Sequence, residues 1–66
     1  MQIFLNGQTL ALQDSISLHQ LLEQQGYAQR RVAVEVNRSI VPKSRHAEHK
    51  LEDGDKVEIV HALGGG

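Results

Sequence analysis

Ile3-Phe4-Leu5-Asn6-Gly7-Gln8-Thr9-Leu10-Ala11-Leu12 is two short apolar runs joined by Asn-Gly, the dipeptide that best tolerates the positive φ angles of a two-residue hairpin turn. The stretch predicts a β-hairpin. Within it Ile3 and Leu5, then Leu10 and Leu12, alternate with period two and share the face to be buried. Phe4 therefore points to the other side and is a candidate contact residue. The next segment supplies the cover for the buried face. Ser17 stands three residues before Gln20, the spacing of a capping box, while Ile16 before the cap and Leu21 beyond it suit a hydrophobic staple. Leu18, Leu21 and Leu22 make one stripe on a helix of about two turns, too short to be stable unless docked on the hairpin. Gly26 can take the left-handed conformation that stops the helix, which brings Tyr27 onto Leu22.

Downstream, Val32-Ala33-Val34-Glu35-Val36 alternates with its three valines inward, and Asn37-Arg38 turns the chain into Ser39-Ile40-Val41 before Pro42 removes a ladder donor. Residues 43–50 have little apolar content beyond Ala47 and read as a loop with one helical turn. A Glu52-Asp53-Gly54-Asp55 turn then feeds a last strand, Val57 to Leu63, and the chain ends in Gly64-Gly65-Gly66. Val57 and Ile59 face the core, while Val60 and Ala62 face outward. A strand that is apolar on both sides suits the middle of a sheet, beside the first strand. The order of elements predicts an α+β fold, a mixed sheet of four to five strands on one short helix. Residues 1–63 form the domain and residues 64–66 a thin tail.

With 66 residues, 39% of them hydrophobic, there is material for one small core and no second one. One Phe, one Tyr and no Trp are too few aromatic faces for a base-stacking surface. No Cys means no disulfide framework, thiolate metal site or cysteine nucleophile, as expected of a cytoplasmic chain. Neither a membrane span nor a signal peptide is recognisable, since Met1 leads straight into the first strand. The formal net charge is -1, but its distribution is uneven. From Arg30 to Lys50 six bases face two acids, whereas Glu52, Asp53, Asp55 and Glu58 face only Lys56. Arg30, Arg31 and Arg38 would then steer a partner, an effect that salt screens.

Few residues offer chemistry of their own. His46 and His49 have helical-turn spacing, but two ligands do not make a metal site, and both read as exposed loop histidines. His19 lies off the apolar stripe and faces Glu23 one turn on. His61 shares parity with Ile59 and reads as packing near the strand exit. Asp53 and Asp55 suit local hydrogen bonding to backbone donors. The glycines lack the following helix of a phosphate loop, and no strained elbow carries Ser15, Ser17, Ser39 or Ser44. The chain reads as non-catalytic. What remains is the α-carboxylate of Gly66 on an arm without side chains, able to enter a narrow active site. An ionised carboxylate is a poor electrophile and needs activation, for example as an acyl-adenylate that a sulfur nucleophile can open. An incidental terminus fits a bare Gly-Gly-Gly equally well.

Val57-Glu58-Ile59-Val60-His61-Ala62-Leu63-Gly64-Gly65-Gly66 resembles the C-terminus of the ThiS family, the sulfur carriers of thiamine biosynthesis. The Asn6-Gly7 hairpin, Leu21-Leu22-Glu23, Val36-Asn37 with Ile40-Val41-Pro42, and Asp53-Gly54-Asp55 follow that family's pattern in order over nearly the whole chain. The resemblance implies a ubiquitin-like β-grasp fold and the role of a protein cosubstrate, not an enzyme. It implies that Gly66 is adenylated by a ThiF-type enzyme using ATP and Mg²⁺, with no cofactor held by the carrier itself. A sulfur donor protein then converts it to a thiocarboxylate, which passes sulfur to a ThiG-type thiazole synthase. Gly64 and Gly65 are the slender lead-in, and a monomer is expected when free. Phe4, Val60, Ala62 and Leu63 are the expected partner patch, the competing reading being that Phe4 and Val60 tuck under a loop. A molybdopterin-type carrier or a conjugated modifier shares this tail chemistry. A small RNA-binding domain of the S4 type shares the look of residues 36–57, but here a hairpin and a neutral helix precede that segment.

Overall fold

The computed structural model describes residues 1–61. β1 (Gln2–Leu5) and β2 (Gln8–Ala11) form the expected hairpin, and Asn6 (φ 49°) with Gly7 (φ 83°) occupy the two left-handed positions of its turn. Ile3 and Leu12 are buried, Leu5 and Leu10 half-buried, and Phe4 looks away from the core. α1 (Leu18–Gln24) begins with the capping box read from the sequence. The Ser17 Oγ accepts from the Gln20 N–H at 3.1 Å, and the Gln20 Oε1 accepts from the Ser17 N–H at 2.9 Å. Its end is a Schellman motif: the Tyr27 N–H donates to Leu22 O at 2.8 Å and the Gly26 N–H to Glu23 O at 3.2 Å, with Gly26 at φ 85°.

β3 (Val32–Val36), β4 (Ser39–Ile40) and β5 (Lys56–His61) complete a five-stranded sheet of order β2-β1-β5-β3-β4. The last strand is thus the central one, parallel to β1 and antiparallel to β3. This is the mixed sheet on one helix that a β-grasp requires. Leu18, Leu21 and Leu22 meet Ile3, Val34, Val36, Val57 and Ile59 from the inner face in a single core. The predicted inward face of the last strand is borne out at Val57 and Ile59; Ala62 and Leu63 lie outside the described residues. Among the described residues no helix is long and apolar enough to cross a membrane.

β5 is gripped by both hairpin turns, a feature that patterning did not reveal. β1 leaves the ladder after the Asn6 N–H donates to Val57 O at 2.9 Å, and the Asn6 side chain takes over, its Oδ1 accepting from the Ile59 N–H at 2.8 Å. On the other flank the Asn37 N–H donates to Lys56 O at 2.8 Å, and its Oδ1 accepts from the Lys56 N–H at 3.0 Å. The Asn37 Nδ2 donates to Asp55 Oδ1 at 3.0 Å, while Asp55 Oδ2 accepts from the Glu52 N–H at 2.8 Å. Asp53 Oδ1 accepts from the Gln2 N–H at 2.7 Å. The acidic turn does the backbone bonding expected of it and also reaches into neighbouring strands.

Residues 43–50 correct the loop reading in one respect. They hold the expected helical turn, a 3₁₀ turn over Lys43–Arg45, but His46 is buried, not exposed, and His49 is half-buried. The physical reason is the helix start, whose first N–H groups need acceptors. Leu18 N–H donates to His49 O at 2.8 Å and His19 N–H to His46 O at 3.0 Å. The His46 ring nitrogen Nε2 bonds Val41 O at 2.9 Å, tying the end of β4 to the start of α1, and Leu51 follows as a core residue at 1% exposure.

Two turn variants measure these constraints in urea unfolding. Arg38 sits at φ 71° without being glycine, so Arg38→Gly should raise stability by about 0.5–1 kcal/mol. Asn6→Gly keeps the turn but orphans the Ile59 N–H, and should lower it by about 1–2 kcal/mol.

Candidate functional site

The outer face of the sheet carries the described half of the expected patch. Phe4 is 37% and Val60 54% exposed, so neither tucks under a loop. The ladder places Ala33 opposite Val60, Glu35 opposite Glu58 and Ile40 opposite Glu35 on this face. Ile40 is the most exposed large apolar residue of the described chain, at 70%. It was missed because a residue two before Pro42 reads as a strand end, and nothing in a linear pattern says that its own strand, β4, is the sheet's edge. Ala62, Leu63, Gly64, Gly65 and Gly66 lie outside the described residues.

This face breaks a pairing rule. Glu35 and Glu58 are directly opposed on adjacent strands, where like charges cost stability. Apolar Phe4, Val60 and Ile40 share this face with the two carboxylates and with exposed Lys56, which pairs with Phe4, a mixed surface that complements a partner with an apolar patch and a base opposite the glutamates.

The other candidates separate. His61 is exposed, yet its ring lies 6.0 Å from that of Tyr27 at 52°, so its packing is against the helix-end turn. His19 Nε2 is 3.7 Å from Glu23 Oε2, with both side chains more than half exposed, a contact of small worth. Among the described residues no group of three His, Cys, Asp or Glu could hold a metal ion. The basic middle is not one patch. Arg30 and Arg31 precede β3 and Arg38 follows it, roughly 20 Å apart at the rise of a strand. The central strand β5 runs through the outer patch and ends at His61, three residues before Gly64 in the sequence.

Residues 2–66 match the ThiS family. The chain belongs to that family. It is 35% identical over 66 residues to the sulfur carrier protein ThiS of Escherichia coli (strain K12), with both chains covered in full. A crystal structure of the thiamine biosynthesis protein ThiS from Geobacter metallireducens superimposes with a TM-score of 0.88 at 29% identity, covering all of both chains. The ubiquitin-like β-grasp expected from the ThiS resemblance is thereby established. The chain is also 44% identical over 66 residues to a thiazole synthase of Paramagnetospirillum magneticum, of whose length it spans 20%.

The opposed glutamates give a stability test of the outer face. Glu58→Lys should pair with Glu35 and raise the urea midpoint, by about 0.2–1 kcal/mol in stability, with the gain shrinking as salt is added.

Proposed function

We propose that this ThiS-family chain is a sulfur carrier for the thiazole ring of thiamine, acting in the cytoplasm through the carboxylate of Gly66. The observation that carries the reading is a family match that runs through the terminal glycines on a fold whose central strand leads into them. The likeness to a thiazole synthase that contains a segment of this kind supports a ThiG-type acceptor.

The chemistry follows from the carboxylate. Ionised near neutral pH, it repels nucleophiles. A ThiF-type enzyme supplies ATP and Mg²⁺. The Gly66 carboxylate oxygen attacks the α-phosphate, pyrophosphate leaves, and an acyl-adenylate forms. Sulfide delivered by a donor protein then attacks the acyl carbon, the C–O bond to AMP breaks, a proton is lost, and a thiocarboxylate remains. The carrier contributes position. A Cβ on Gly64 or Gly65 would widen an arm that must thread a narrow active site and would restrict its backbone. Phe4 and Val60, with Ala62 and Leu63 at the root of the tail, supply the patch that enzymes hold. The opposed Glu35 and Glu58 favour a base on the partner.

Intact mass tests the reading. Incubation with ATP, a ThiF-type enzyme and a sulfur source should add the mass difference of one oxygen replaced by sulfur, and a copy lacking Gly65 and Gly66 should show no change. No gain with an active partner enzyme refutes the reading. Gly65→Val should slow adenylation at least about tenfold with the urea midpoint unchanged; normal adenylation of that variant would remove the narrow-tunnel argument.

A further inference from the structure

On the helix side of the sheet, where β3 begins and β5 ends, an open cavity of about 410 Å³ lies between α1, residues 27–32 and residues 43–47. Leu22, Tyr27 and Val32 give it an apolar floor, and His19, Arg30, Arg31 and Lys43 stand around it. No carboxylate is among its lining residues. Among the described residues neither Arg30 nor Lys43 makes an ion pair. In a chain with a formal net charge of -1, Arg30 and Lys43 are two positive charges at one opening with no carboxylate partner among the described residues, while His19 has Glu23 beside it. An apolar floor under a cationic rim complements a ligand with an aliphatic body and carboxylates.

Position selects among such ligands. The cavity's Tyr27 ring touches the ring of His61, and its Val32 pairs with His61 across the β3–β5 ladder. The opening therefore sits beside His61, the last described residue before the tail, on the side of the sheet opposite Phe4 and Val60. A free metabolite would gain nothing from that location, whereas a protein that works on the tail would gain a second hold close to the reacting end. The geometry points to a docking site for an acidic peptide segment, aliphatic side chains flanked by carboxylates, belonging to a protein that handles the tail. Why such a protein comes here rests on the carrier reading; whether the cavity takes the peptide does not. With one partner on the outer face and another at the cavity, the tail can pass between two proteins while the body stays bound.

The test is a titration of the ¹⁵N-labelled full chain with a blocked hexapeptide of alternating leucine and glutamate, followed by amide shifts. The amides of Tyr27, Arg30, Val32 and Ala47 should move. The same peptide with glutamine for glutamate should bind at least about tenfold more weakly, as should the glutamate peptide to the double variant Arg30→Ser, Lys43→Ser. Both side chains are exposed, so the variant should keep its urea midpoint. The proposal is overturned if no amide moves, if shifts fall only on the strands of Phe4 and Val60, or if both peptides bind equally. Displacement by inorganic phosphate at equal concentration would reduce the cavity to a plain anion site and overturn it too. So would an affinity about tenfold higher in a copy whose Gly66 carboxylate is blocked as the amide, because the chain's own carboxylate would then be the occupant. The readout is binding to the body and involves no loading of Gly66, so its failure leaves the carrier reading standing.

Discussion

The strand made last is the strand on which the sheet is built. β5 lies between β1 and β3, and its partners hold it with more than the ordinary ladder: Asn6 and Asn37, each in a left-handed turn position, lend it side-chain amides where β1 and β3 run out. A left-handed asparagine is well suited to this, because the same short amide that tolerates positive φ can also reach a neighbouring backbone. The consequence is topological. A chain that lacks its final strand has no sheet centre, since β1 with β2 and β3 with β4 would be two separate hairpins with no partner between them.

That placement also couples fold to function. His61, where the described chain ends, stands on the central strand and is paired with Val32, unlike a residue on a fraying edge. The body around the exit is stiffened by an unexpected brace. Residues 46–51, poor in apolar side chains, are held by backbone carbonyls that cap α1 and by the buried His46 ring. A polar segment can be as fixed as a core one when its hydrogen bonds are all accounted for. The outer face is the contrasting case, with Phe4, Val60 and Ile40 open to solvent around two opposed glutamates. Features that cost a lone domain stability are where a partner is expected.

Local signals were sufficient for the elements. Asn6-Gly7, the Ser17 and Gln20 spacing, Gly26 and the alternating valines each act within a few residues, and backbone geometry reads them the same way in any context. Period-two alternation likewise told the buried side of β1, β3 and β5 from the open one, so Phe4 and Val60 were recognisable as outward. The glycine end and the motifs spread along the chain carried the family.

Tertiary structure alone decided what depends on residues far apart in the chain. Periodicity marks His46 as polar and says nothing of the Val41 carbonyl it bonds or the helix start it serves. It cannot show that Glu35 faces Glu58, because register is fixed by pairing between strands more than twenty residues apart. It joins Arg30, Arg31 and Arg38 as one basic stretch, whereas an extended β3 sets Arg38 at the far end and leaves Arg30 and Arg31 with Lys43 around a cavity. Sequence determines which way each side chain points along its own element; only packing determines what it meets.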